Sequence, residues 1–150
     1  MPQSFCQLHA HIVFSTKNRE PYLGESIRPK VHAYMAGILN DLGCSDILIG
    51  GFVDHVHCLC SLNKTKSPVK IIQVLKQDSS KFIKTLDDRL TSFAWQNGYA
   101  LFSVSPTHLE SVQKYIKEQV EHHRVKSFQE EYKEFLKRYN IPYDERYVWD

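Results

Sequence analysis

The sequence predicts an α+β domain, a four-stranded antiparallel sheet with helices in the order β-α-β-β-α-β, followed by two C-terminal helices. Three observations carry that prediction. Short apolar runs of strand character fall at 5–16, 44–50, 55–62 and 99–104. Two longer stretches, 26–42 and 67–86, separate them and repeat their apolar residues at helical spacing. Two further capping signals, at Thr107 and Ser127, lie beyond the last strand.

In the first strand Leu8, Ala10, Ile12 and Phe14 form one face, and His9, His11 and Val13 the other. Residues 17–21 break the alternation and read as a loop. The first helix then carries Ile27, Val31, Met35, Ile38 and Leu42 on one stripe, with Gly43 placed to close it. Residues 50–54 supply the bend between the second and third strands. Ser67-Pro68 starts the second helix, with Ser at N-cap and Pro at N1. Its apolar set is Val69, Ile72, Leu75, Phe82, Ile83 and Leu86. Thr107 and Glu110 form a capping box for a helix expected to run to about Arg124. Ser127 and Glu130 form another for a helix stopped by Pro142. The first six elements match the ferredoxin-like split βαβ, expected over about 4–105, with the C-terminal helices over about 107–140. The whole of 1–150 reads as one domain.

The 150 residues are 42% hydrophobic and 24% charged, ordinary for a globular protein. A net charge of only +2 means that nucleic-acid binding would have to rest on local basic clusters. No targeting pattern is present, and no apolar run approaches the ~18 residues of a membrane span. The expectation is a cytoplasmic protein with no membrane association. Cys6, Cys44, Cys58 and Cys60 form no C-x-x-C pair and are expected to be buried, reduced thiols.

Two patterns hold chemistry. His55 and His57 stand two apart in a strand, so both imidazoles project to one face, as two ligands of one cation do. A strand H-x-H is more commonly structural, and the pair needs further ligands from elsewhere. Cys58 and Cys60 fall on the opposite face and belong to the core. His9 and His11 repeat the pattern on the first strand, which this fold places beside the third. Tyr115 and Gln119 stand at i and i+4 on the first C-terminal helix, a phenol with an amide one turn away. Such a tyrosine is either an amphipathic surface residue or a nucleophile helped by a nearby cation. Lys17, Arg19, Lys66, Lys70 and Lys81, with Lys64 and Lys84, are either a solvated face or phosphate contacts. Trp95 and Tyr99 are expected in core packing before base stacking.

Taken together, the stretches 11–19, 54–57 and 115–119 resemble the single-tyrosine transposases of the HUH endonuclease superfamily, in order and over nearly the whole chain. The resemblance implies a metal-dependent enzyme that cuts and rejoins single-stranded DNA next to hairpins. Tyr115 would be the nucleophile, forming a 5′-phosphotyrosine link and freeing a 3′-OH. His55, His57 and Gln119 would hold a divalent ion, Mg2+ or Mn2+, with Glu118, one helical step away, as a substitute for Gln119; His11, which the strand order brings beside His57, is either a residue supporting this site or an ordinary strand histidine. It also implies a homodimer, often with the tyrosine helix of one subunit serving the histidines of the other. Two other readings compete. A relaxase or replication initiator shares the chemistry but usually carries further domains. A ferredoxin-like nucleic-acid-binding module without catalysis would show stacking aromatics on its sheet centre.

Overall fold

Ile12 and Phe14 point one way from the first strand, and His11 and Val13 the other. That alternation decides which layer each part of the chain joins. The computed structural model describes residues 2–123 and 125–150. Its strands are β1 (His9–Ser15), β2 (Ser45–Gly51), β3 (His55–Ser61) and β4 (Ala100–Ser103). They pair antiparallel in the order β2-β3-β1-β4. The helices are α1 (Arg28–Asp41), α2 (Pro68–Lys84), α3 (Leu109–Lys117), α4 (Gln119–His122) and α5 (Phe128–Arg138).

One sheet face packs on α1 and α2. There Ile12, Phe14, Val56, Cys58 and Cys60 meet Val31, Met35, Leu39, Ile71, Leu75 and Ile83. The other face is covered by the C-terminal helices. Val13 and Phe102 meet Phe128, Phe135 and Leu136 of α5, and Leu59 meets Ile116 of α3. The sheet is thus buried on both sides, which is why β1 is buried along its whole length. The expected ferredoxin-like order, with β1 and β3 central and adjacent, is the one observed. Among the described residues no helix is long and apolar enough to cross a membrane.

Several expected details differ. β1 begins at His9, paired with Ser61 at the end of β3, and one further backbone bond, from Leu62 N–H to the Leu8 carbonyl at 2.9 Å, closes that end. Phe5 is 89% exposed, Leu8 is exposed, and Cys6 in the same segment is exposed rather than buried. The other three cysteines are buried. Burial raises the Cys58 thiol well above its ordinary value and pushes Cys60 up to about 12. Thr107 does not cap α3. The chain instead makes a 3-10 turn over Pro106–His108, and the Ser105 side chain accepts the Thr107 N–H at 3.2 Å. A serine directly before a proline suits the start of that turn, since Pro106 has no N–H to satisfy. The helix expected to run to about Arg124 breaks at Glu118 (φ −100°, ψ 20°) and resumes as α4. Arg124 itself lies outside the described residues.

The caps at Ser67 and Ser127 form as expected, each side chain accepting the N–H three residues on. Gly43 closes α1 at φ +82°. The Gly43 and Cys44 N–H groups donate to the carbonyls of Asn40 and Leu39, both at 3.0 Å, in a Schellman arrangement. The C-terminal tail folds back on the domain. The carbonyl of Asp150 accepts from Gly98 N at 2.8 Å and from Gln96 Nε2 at 3.2 Å, while Trp149 tilts against Tyr132.

Gly50 sets how closely α3 approaches β2. A Cβ there would lie 2.5 Å from Ile116 Cγ2 and 2.6 Å from the Ile116 carbonyl oxygen. Backbone cannot yield as a flexible side chain does. Gly50→Ala is therefore expected to lower the unfolding free energy by about 1–3 kcal/mol, measured as a shift of the urea midpoint at constant m. An unchanged midpoint would show that α3 slides without cost.

Candidate active site

β3 places His55 and His57 on the sheet face covered by α3 to α5, and both are fully buried. Each ring is held through its Nδ1. His55 Nδ1 donates to the Asp54 carboxylate at 2.8 Å. His57 Nδ1 lies 2.7 Å from His11 Nε2 on the neighbouring strand. His11 is thus the positioning partner of His57, and its burial, with His57 adjacent, keeps its pKa well below the ordinary value.

The two Nε2 atoms face inward toward oxygen. His55 Nε2 is 2.9 Å from Gln119 Oε1 and 3.7 Å from Glu131 Oε1. His57 Nε2 is 2.9 Å from the same Glu131 oxygen. His55, His57 and Glu131 each offer one donor atom, and the three atoms lie within 4.8 Å of one another. With the Nδ1 proton of His55 committed to Asp54, a neutral ring turns a lone pair toward the two oxygens. Converging lone pairs, with each ring fixed by a partner on its other nitrogen, are what a bound cation requires. Two imidazoles, a carboxylate and an amide oxygen fit a divalent ion. The nitrogen share suits Mn2+ at least as well as Mg2+.

Tyr115 comes to this cluster from α3 of the same chain. Its ring stands edge-on to His57, with centroids 5.7 Å apart. Its hydroxyl donates to Glu131 Oε2. Burial, reinforced by that carboxylate, raises the phenol above its ordinary pKa. At Glu131 burial alone would raise the pKa. Hydrogen bonds from His123 and His57 outweigh it and hold the carboxylate well below the usual range. His123 reaches both Glu131 Oε2 at 3.2 Å and Gln119 Oε1 at 3.1 Å.

Of the residues singled out in the sequence, His55, His57, Gln119, Tyr115 and His11 are brought together. Glu118 is not. The helix break turns it to solvent, where its ion-pair partner is His122 at 4.0 Å. His9 is buried at the end of the same face, outside the cluster. Lys70 and Lys81 are exposed on α2 and Lys66 in the turn just before it, in the layer on the far side of the sheet from the histidines. Lys17 is exposed, while Arg19 donates to the Trp149 carbonyl at 3.2 Å and so helps hold the tail. Trp95 is a core residue, edge-on to Phe14 and Phe93 and donating to Ser79.

Glu131 and His123 were absent from the expected set, although each left a trace. Glu131 interrupts the apolar stripe of α5, three residues after Phe128 and four before Phe135. A charge on that stripe must be buried with partners. His123 continues the i, i+4 series of Tyr115 and Gln119 by one more turn.

The sequence profile of the family described as "Transposase IS200 like" matches residues 4–119. Among solved structures, the chain is similar to a candidate transposase from Deinococcus radiodurans R1. The TM-score is 0.62 at 19% identity, over 79% of this chain and 98% of that one. It is also similar to a REP-associated tyrosine transposase bound to a REP hairpin. There the TM-score is 0.60 at 12% identity, over 82% of this chain and 73% of that one. At these identities the structural matches establish the shared fold. No curated protein matches the chain.

Proposed function

The chain belongs to the IS200-like transposase family, and from that premise we propose that it cuts and rejoins single-stranded DNA through Tyr115. One observation carries the reading: a tyrosine hydroxyl, a buried carboxylate and two oriented histidines meet in one cluster. The Tyr115 oxygen attacks a phosphodiester, the phosphorus–O3′ bond breaks, and the DNA is left joined to the protein by a 5′-phosphotyrosine. The free 3′-OH takes a proton, and reversal of the same step rejoins a strand without an external energy source. Glu131 Oε2 stands ready to receive the phenolic proton. His11 and Asp54 orient the two rings, and Gln119 and Glu131 complete the donor set. A divalent ion, Mg2+ or Mn2+, bound by His55, His57, Glu131 and Gln119 would polarise the phosphate and steady the leaving oxygen.

The substrate in this reading is a single strand carrying a hairpin, as the hairpin-bound structural relative suggests. The exposed Lys17, Lys66, Lys70 and Lys81 would contact duplex phosphates away from the cut. The homodimer implied by the family resemblance remains part of the proposal; within a single chain Tyr115 already stands beside His57. A stacking module without catalysis needs an open sheet face, and here both faces are covered.

The test is incubation with hairpin-bearing single strands and Mn2+, followed by a denaturing gel. A covalent protein–DNA band that needs the metal is expected. Its absence across a hairpin library would overturn the reading. Mn2+ alone gives a second expected result. At about 100 times its Kd it adds about 2.7 kcal/mol of stability. For a chain of this size that raises Tm by roughly 5–10 °C, and a flat thermal-shift titration would remove the metal site.

A further inference from the structure

Tyr115 borders more than the histidine cluster. On its other side lies an open cavity of about 530 Å³ between the end of β4, the start of α3 and the C-terminal half of α5. Its walls include His11, Ser105, His108, Tyr115, Arg138 and Tyr139. The volume is in the range of small-molecule sites. A phosphate placed at the Tyr115 hydroxyl would have the metal donors on one side and this cavity on the other.

Two wall residues have functional groups that the fold leaves available. The Tyr139 ring stacks on Phe102 at 4.5 Å and 15°, and Phe102 stacks on Phe135 at 5.5 Å. Tyr139 is nevertheless 40% exposed. It is the outer rung of a fixed aromatic ladder. The Arg138 guanidinium lies 5.6 Å over the Phe135 ring and makes no ion pair or hydrogen bond among the described residues. An unpaired guanidinium beside an aromatic face suits a phosphate and its base. The comparable cavity of about 550 Å³ beside α2, lined among others by Lys84 and Tyr99, does not border Tyr115. Its Lys76 ammonium is committed to the carbonyls of Gln96, Asn97 and Gly98 at 2.8, 3.1 and 2.5 Å.

We propose that the cavity beside Tyr115 takes one nucleotide flanking the scissile phosphate, with Tyr139 stacking on its base and Arg138 contacting the adjoining phosphate. The inference rests on the proposed function and names the part of the substrate that this side of the site holds. Loss of the base at that position would then be felt only while Tyr139 is present to stack on it.

Equilibrium binding of a fluorescent single-stranded oligonucleotide tests this without turnover. Tyr139→Ala should weaken binding about tenfold, and Tyr139→Phe should restore it. Arg138→Gln should weaken binding and reduce the salt slope by about 0.7. An abasic scan of the strand should find one position whose loss weakens wild type and leaves Tyr139→Ala unaffected. A cooperative melt and an unchanged far-ultraviolet circular dichroism spectrum will show that each variant is folded, with Tyr139→Ala melting somewhat lower for the stacking it loses on Phe102. Equal affinity for wild type and both variants overturns the proposal, as does absence of single-strand binding by wild type. Adduct formation by the same preparation on hairpin DNA then shows whether the transposase reading survives independently.

Discussion

Tyr115→Phe is expected to abolish the covalent protein–DNA adduct while leaving a folded protein that still binds single-stranded DNA. The substitution removes one oxygen from a half-buried ring and leaves its packing against His57, His122 and Phe135 in place. The stability cost is one hydrogen bond to Glu131, about 1 kcal/mol. The chemical cost is the nucleophile itself, so the rate should fall on the order of 10⁴-fold or more. A denaturing gel reads the adduct, and a thermal melt checks the fold. Adduct that persists at wild-type yield would move the nucleophile to another residue. His122 packs against the Tyr115 ring with centroids 4.5 Å apart, so a histidine adduct, distinguishable by its acid lability, is the first alternative to examine.

Glu131→Gln is expected to have the second-largest effect, because the carboxylate does three things at once. It lies against the His57 and His55 Nε2 atoms, accepts the Tyr115 hydroxyl, and pairs with His123. Glutamine keeps the shape but loses the charge and one acceptor. The residue is almost fully buried, so stability should fall by about 1–3 kcal/mol. The Mn2+-dependent rise in Tm should shrink sharply. Adduct formation should fall on the order of 10²-fold or more, since a ligand and a proton acceptor are lost together. Comparison with Gln119→Ala separates the two oxygen donors. If Glu131→Gln keeps the full Mn2+ shift and Gln119→Ala loses it, the amide is the ligand and the carboxylate serves the tyrosine alone.

The contrast between those two donors shows what could be seen in advance. Gln119 was legible because it lies four residues from Tyr115, close enough in sequence for the two to share a face even across the break at Glu118. Glu131 was not, because its relation to His57 spans 74 residues and exists only once α5 lies across the sheet. The charge on the apolar stripe of α5 indicated burial with partners but did not name them. Glu118 failed as a neighbouring ligand for the converse reason. Adjacency in sequence turned it about 100° around the helix, and the break at that residue left it in solvent.

The sequence by itself determined the strand and helix order, the face on which His55 and His57 emerge, and the separation of those histidines from Cys58 and Cys60. Period-2 and period-3.6 geometry act over a few residues and need no knowledge of what packs on top. The strand order already brought His11 beside His57; only the tertiary structure decided that Glu131 and His123 close the cluster and that Tyr115 stands between the donors and an open cavity. Those contacts join β1, β3, α3 and α5 across long stretches of chain. They are selected by how the apolar faces stack, with Phe128, Phe135 and Ile116 setting α5 and α3 on the sheet. No local pattern encodes that choice.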